Sequence, residues 1–349
     1  MINKHQTFKN LIDIKKFSKK FDFNYRCKKD WGQCFNNAEY QSYYYSKINV
    51  DFAFEIVKSK FEVFEDLSFT VKNQDNVLLV MPLFIFGENG KNELGFIDKK
   101  ILPPLFSNGV SNKTKKELIN LVIDLIKIAR DKLEIKSINY TDNLAPNSSI
   151  SIWHKTIAAD KLECSLQRQA FVNLDNSIST INQKIRKSYR SLISKGLKIW
   201  KVKSEFTVSK KIWNDFKQLH FKAAGRKTRS DKSWDILENG LKEKELFFIY
   251  CLDNNQKMVG GSLFFLTNAE SYYGIAAYNR DLFDYPIGHV IQYTAIQKFK
   301  EMGLKWYRLG NVPFISDNPK PSEKEINIGK FKNGFSTDMF PEYRFSDID

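Results

Sequence analysis

GGSLFFLTNAESYYGIAAYNRDLFDYPIGHVIQYTAIQKFKEMGLKWYRLGN, residues 260–311, decides how the rest of the chain is read. Residues 258–267 and 271–277 are rich in aromatic and apolar side chains and read as two strands joined by a short polar turn. Residues 285–302 read as a long helix, and Gly303 is placed to close it. LKWYRL, residues 304–309, reads as a buried strand. Just upstream, 246–252 is a further strand, with 253–257 as the turn of its hairpin. The order is therefore three antiparallel strands, a helix and a closing strand, an α+β unit.

Working outward, the second half begins with a basic helix at 178–196, ending in Gly196. A strand at 197–203 and helices at 208–224 and 234–244 follow. The first half shows the same order. A helix at 37–47 precedes strands at 51–58, 62–72 and 77–86. The loop ILPPLFSNG (101–109) comes next, because neither a helix nor a central strand tolerates its prolines. An amphipathic helix at 115–133 and a strand at 136–140 complete it. Two copies of one α+β unit, each a mixed, mostly antiparallel sheet flanked by helices, are expected, divided as 1–165 and 166–349. The duplication rests on element order, since no residue-level repeat links the halves.

Composition narrows the class. The chain has 349 residues, is 42% hydrophobic and carries 29 Phe, enough for packed cores and contrary to disorder. The longest apolar run, 77–86, is broken by Pro82 and falls short of a membrane helix. The basic N-terminus lacks the apolar segment of a secretory signal, so a cytoplasmic location is expected. Cys27, Cys34, Cys164 and Cys251 form no CxxC pair and are expected as buried free thiols. The scattered histidines support no metal site. Residues 166–349 hold 30 Lys and Arg against 20 Asp and Glu, +10 of the net +15, so an anionic partner is expected.

With the order of elements in place, residues 260–311 resemble the Fem family, aminoacyltransferases that build peptidoglycan interpeptide bridges, and the Fem-like proteins of polysaccharide gene clusters. The likeness lies in YYG on a strand (Tyr272–Gly274), YRLG on the closing strand (Tyr307–Gly310), and a terminal FKNGF (Phe331–Phe335). The basic segment INQKIRKSYRSLISKGLKI resembles the family's entry to its second domain. The resemblance implies two tandem GNAT-like domains, with the acyl-transfer site in the second. It also implies an aminoacyl-tRNA donor and no separate cofactor. Acyl-CoA is the alternative donor, but coenzyme-A users of this fold cradle pyrophosphate on a Q/R-x-x-G-x-G/A loop. Residues 280–289 hold one glycine and two aspartates instead. The long coiled-coil arm of several Fem enzymes is missing too.

Several residues stand out as chemistry. Lys184, Arg186, Lys187 and Arg190 belong to a run without acidic residues between Asp175 and Glu205, and they fit RNA or another phosphate-rich donor. Arg226 and Arg229 lie three apart in a Gly/Ser/Thr loop, as anion-forking arginines do. Tyr272 and Tyr273 alternate on one strand, so one faces the core and the other the cleft. Arg280 is placed to meet a phosphate, and His289 lies one turn into the following helix. No Ser–His–Asp or Cys–His arrangement indicates an acyl-enzyme. Finally, Lys330 and Lys332 sit among Phe331, Phe335 and Phe340, where desolvation disfavours an ammonium. The resemblance implies that Lys332 steadies the oxyanion, with Phe331 shaping the pocket; Lys330 competes for the role if the segment is extended. We place Lys332, Phe331 and Tyr273 in the catalytic set and Arg226, Arg229, Arg280, Tyr272 and His289 among the substrate contacts.

The expected activity is transfer of an aminoacyl group from tRNA to an amine or hydroxyl of an anionic cell-envelope precursor, a nucleotide-linked sugar or muropeptide. Peripheral association with a membrane, without a transmembrane segment, is compatible with it. An acyl-CoA-dependent N-acyltransferase acting on a nucleotide sugar is the alternative within the enzyme class. A non-catalytic RNA- or envelope-binding module is the alternative outside it.

Overall fold

A computed structural model of the chain describes residues 8–347 except 144, 147 and 161; the start of the basic N-terminus, with His5, lies outside them. The chain forms two compact units. The first takes the residues up to Leu166 together with Pro341–Asp349, and the second takes Gln167–Phe340.

Unit 1 runs α1 (Phe8–Leu11), β1 (Asp22–Tyr25), α2 (Lys28–Asn36), α3 (Lys47–Lys60), β2 (Val63–Asp66), β3 (Phe69–Asn73), β4 (Asn76–Met81), β5 (Phe84–Glu88), β6 (Lys91–Gly95), β7 (Lys100–Ile101), β8 (Leu105–Phe106), α4 (Asn112–Lys132), β9 (Asn139–Asn143) and α5 (Ile152–Ile157). Its strands order as β1-β3-β4-β8 and β2-β5-β6. Leu118, Val122 and Ile126 of α4 pack with Phe69, Leu79 and Met81 in one buried cluster. Burial of side chains of this size contributes about 1.5–3 kcal/mol each. The expected strand at 51–58 is helix instead. Ser46 caps α3, its side chain accepting from the Asn49 N–H, and Ile48, Phe52, Ala53 and Val57 are buried at helical spacing. Pro82 divides the run 77–86 into β4 and β5. The loop ILPPLFSNG takes in the second residue of β7 and all of the two-residue strand β8.

Unit 2 follows with β10 (Leu162–Asn173), which enters from unit 1, then α6 (Ile178–Lys184), α7 (Lys187–Ile199), β11 (Lys201–Glu205), α8 (Lys210–Ala224), α9 (Asp231–Lys242), β12 (Leu246–Leu252), β13 (Met258–Leu266), β14 (Glu270–Tyr278), α10 (Ile287–Glu301), β15 (Trp306–Asn311) and α11 (Glu323–Asn333). The strand order is β11-β12-β13-β14-β15-β10. β11 to β14 pair antiparallel, and β14 pairs parallel with β15 after the α10 crossover. Val290, Ile291, Ala295 and Phe299 of α10 pack against Phe247, Ile249, Phe264 and Tyr307 of the sheet.

Three expectations change here. The single helix at 178–196 is two helices: Ile185 and Arg186 adopt extended ψ values of 132° and 129°, and Arg186 stands at the N-cap position of α7 without a side-chain capping bond. Arg186 and Arg190 therefore do not share the face of one continuous helix. Helix α7 also runs past Gly196, which lies against Val290 and Pro286 rather than closing the helix. Second, the tail does not stay in the second domain. In β16 (Asp338–Asp347), Glu342 to Ser346 pair antiparallel with β9, and Phe345 is buried in the core of unit 1. Third, the four free cysteines are not uniformly buried, since Cys27 and Cys164 are exposed.

Candidate functional site

The parallel ladder between β14 and β15 is short. Glu270, Ser271 and Tyr272 pair with Trp306, Tyr307 and Arg308, and the register then ends. Beyond it β14 stays with β13 as far as Tyr278↔Gly260, while β15 stays with β10 through Gly310 and Asn311. The two strands part, and a wedge opens in the middle of the unit 2 sheet.

Helix α11 supplies the groups at this wedge. Ser322 accepts from the Glu325 N–H while Glu325 accepts from the Ser322 N–H, a reciprocal cap that starts the helix inside what reads as turn chemistry. Gly329 brings the helix against Val312 and Pro313, after β15. FKNG is therefore the last turn of a helix rather than an extended tail. Two residues apart on a helix, Lys330 and Lys332 point about 200° from each other. Lys330 is exposed, whereas Lys332 points to the wedge.

Gly310 shows how close Lys332 comes. A Cβ built there would lie 3.0 Å from Lys332 Nζ and 3.6 Å from Tyr272 Cε2. Gly310 has φ +99°, a conformation that other residues rarely adopt. Burial lowers the pKa of Lys332 from 10.5 to about 8, and no carboxylate pairs with it among the described residues. Gly310→Ala is expected to cost about 1–3 kcal/mol through its backbone alone, and to push the ammonium out of place. Thermal unfolding checks the first effect. A Lys332 titration moved back toward 10.5 checks the second.

Tyr272, not Tyr273, is the tyrosine beside Lys332. Tyr273 turns to the α10 side, where its hydroxyl meets Tyr278 at 2.8 Å, and Tyr278 meets Ser262 at 3.0 Å. Burial raises the pKa of both phenols. The strand alternation was legible, but its phase was not, because a register shift between Leu263 and Phe264 offsets the pairing of β14.

Phe331 lies with its ring 3.2 Å from the position of a Cβ on Gly288, in the first turn of α10. His289 is enclosed by Tyr189, Phe331 and Phe335, with ring centroids at 4.5, 5.2 and 5.9 Å. Burial lowers its pKa to about 4, so it is neutral at physiological pH. It shapes the aromatic wall behind Phe331.

The other expected contacts lie outside the wedge. Arg280 is exposed, in the turn before α10. Arg226 lines a cavity of about 310 Å³ with Lys217, His220, Phe221 and Lys227. Arg229 bonds His220 and lies over Trp234 at 5.6 Å, and burial lowers its pKa to about 10. Arg190 spends its Nε and an NH2 on the Ile185 and Gln183 carbonyls at the break between α6 and α7. Lys184 reaches the Thr337 carbonyl at 3.4 Å, Arg186 lies over Tyr189 at 5.2 Å, and Lys187 is exposed.

One pair was missed. Arg308 and Glu270, 1% and 0% exposed, form a buried ion pair at 3.0 Å, with the Arg308 guanidinium 4.6 Å from the Phe171 ring centre. An arginine inside the buried strand LKWYRL was the available signal, since a buried charge needs a partner.

Neither a protein-family model nor a curated protein sequence matches the chain. Solved structures do. FemX has a TM-score of 0.65 at 11% identity, over 93% of this chain and 96% of its own. The C-terminal domain of a putative lysylphosphatidylglycerol synthetase from Agrobacterium fabrum has 0.56 at 12% identity, over 86% and 92%. A tandem GNAT protein from the clavulanic acid biosynthesis pathway has 0.51 at 9% identity, over 94% and 98%. The chain has this α+β tandem GNAT fold.

Proposed function

We propose that the chain is a Fem-type transferase that moves an aminoacyl group from aminoacyl-tRNA to an amine, or a hydroxyl, of an anionic cell-envelope precursor. The observation that carries this is Lys332, a desolvated ammonium with no carboxylate partner among the described residues, held at the opening between β14 and β15. Attack of the acceptor on the ester carbonyl forms a C–N (or C–O) bond and places negative charge on the carbonyl oxygen. Collapse of that intermediate breaks the ester C–O bond, and the proton released by the acceptor ends on the departing ribose oxygen. Lys332 donates to the developing oxyanion, where a fixed donor out of water is most effective. Tyr272 borders the same space, and Phe331, packed on Gly288 and His289, forms an aromatic wall on the adjoining turn of α11. The neutral His289, walled in by rings, is not needed as a base.

The same geometry disfavours an acyl-CoA donor bound in the usual way. Pyrophosphate would seek the N-terminus of α10, but Phe331 packs there on Gly288, and the preceding turn exposes Asp281 and Asp284. The likeness to a protein named for an aminoacylated lipid supports an envelope acceptor. Arg226 and its basic cavity suit an acceptor phosphate, and the exposed Lys187 suits the tRNA backbone.

The test is a donor assay on the full chain with an envelope-precursor extract. Label is expected to leave aminoacyl-tRNA, to become stable to mild alkali when the acceptor is an amine, and to stop doing so after RNase treatment, while labelled acetyl-CoA is untouched. Transfer from acetyl-CoA with aminoacyl-tRNA unconsumed would contradict the proposal.

A further inference from the structure

The turn between β14 and α10 exposes aromatic surface, although Tyr285 also meets Trp200 edge-on. Phe283 is 66% exposed and Tyr285 44%. The C-terminal end of α8 is tied to this turn by Lys222, whose ammonium reaches Asp281 at 2.8 Å, and the neighbouring Phe221 is 51% exposed. Cations stand around the rings. Lys195 lies 5.8 Å from the Tyr285 ring centre, Arg280 is exposed in the turn, and Lys257 is near enough to act on Asp281.

Protruding rings set among lysines and arginines are the composition of surfaces that lie at a lipid interface, where rings enter the headgroup boundary and cations meet anionic lipid. A nucleic acid could also use rings and cations. Here the most exposed rings protrude singly, Phe221 from the end of α8 and Phe283 from the turn, which suits a soft apolar boundary, and Asp281 is already paired with Lys222. We infer that the surface of Phe221, Phe283 and Tyr285, with Lys195, Lys222 and Arg280, docks the protein on an anionic phospholipid bilayer. This deepens the transferase reading, on which its purpose rests, by saying where the acceptor is met; the docking itself is measured without donor or acceptor. The surface continues into the Arg226 cavity through Phe221, which lines it, so an acceptor phosphate at the bilayer surface would lie beside the bound rings.

The experiment is co-sedimentation of the full chain with vesicles of phosphatidylcholine alone and of phosphatidylcholine mixed with phosphatidylglycerol. Binding is expected to the mixed vesicles, to weaken with salt, and to fall about tenfold in Phe221→Ser/Phe283→Ser with an unchanged thermal midpoint. Lys332→Met is expected to bind vesicles like wild type, so failure of transfer and failure of docking are read separately. Equal sedimentation of wild type and the double variant would overturn the inference. So would binding of RNA, lost in the double variant, without binding to anionic vesicles.

Discussion

Lys332→Met is expected to lower the rate of acyl transfer at least about hundredfold, while leaving donor affinity nearly unchanged. The substitution keeps the length and most of the volume of the side chain, so Phe331 and His289 retain their packing. The charge beside Gly310 is lost. The same variant is expected to be more stable than wild type at neutral pH, and the sign follows from linkage. The folded pKa is about 8 against an ordinary 10.5, so the native state binds the Lys332 proton less well than the unfolded state does. That difference corresponds to on the order of 3 kcal/mol that the fold forgoes below about pH 8. The cost fades as pH rises from about 8 to 10.5, because the native state has by then lost the proton. Urea unfolding of both proteins across this window checks it. A variant both slower and more stable is the signature of a group kept for chemistry; one slower and less stable would make Lys332 a packing residue.

Arg308→Met is expected to be the most damaging single substitution in unit 2, costing about 3–5 kcal/mol. It takes from Glu270, fully buried on the neighbouring strand, its Arg308 ion-pair partner. The pair forms at the end of the parallel ladder, where Tyr272 stands opposite Arg308, so it braces the strands just before they part. Arg308→Met/Glu270→Leu should recover most of the loss, because apolar groups of similar volume can replace a buried ion pair. Denaturation midpoints of the single and double variants check this. A double variant no better than the single one would show that the loss comes from the contact with Phe171 instead.

Much of the fold was legible because periodicity changes sharply along 260–311. Hairpin, helix and closing strand follow from alternation, helical spacing and Gly303, and they place the parallel β14–β15 step. The errors share a physical origin. Residues 51–58 read as strand from Phe and Val content, although the Ser46 cap and the spacing of Ile48, Phe52 and Val57 argued for helix. The Ser322–Glu325 cap was equally visible, and it decides that FKNGF begins in a helix rather than in an extended tail. With that known, the choice between Lys330 and Lys332 becomes a matter of helical angle. Which of Tyr272 and Tyr273 meets the wedge depends on a register shift in β13 and β14, a tertiary feature with no sequence mark. The return of Phe345 to unit 1 likewise depends on pairing with β9, far away in sequence. The break after α6, whose carbonyls Arg190 bonds, also has no mark in the basic run 184–190.

The role of Lys332 is tested most directly by the pH dependence of single-turnover transfer in wild type and Lys332→Arg, compared as a ratio so that ionisation of the acceptor cancels. A guanidinium stays charged throughout the range. The wild-type rate relative to the variant is expected to fall above pH about 8, as the ammonium is lost. A ratio that stays flat between pH 7 and 10 would mean that the charge on Lys332 plays no part in the reaction.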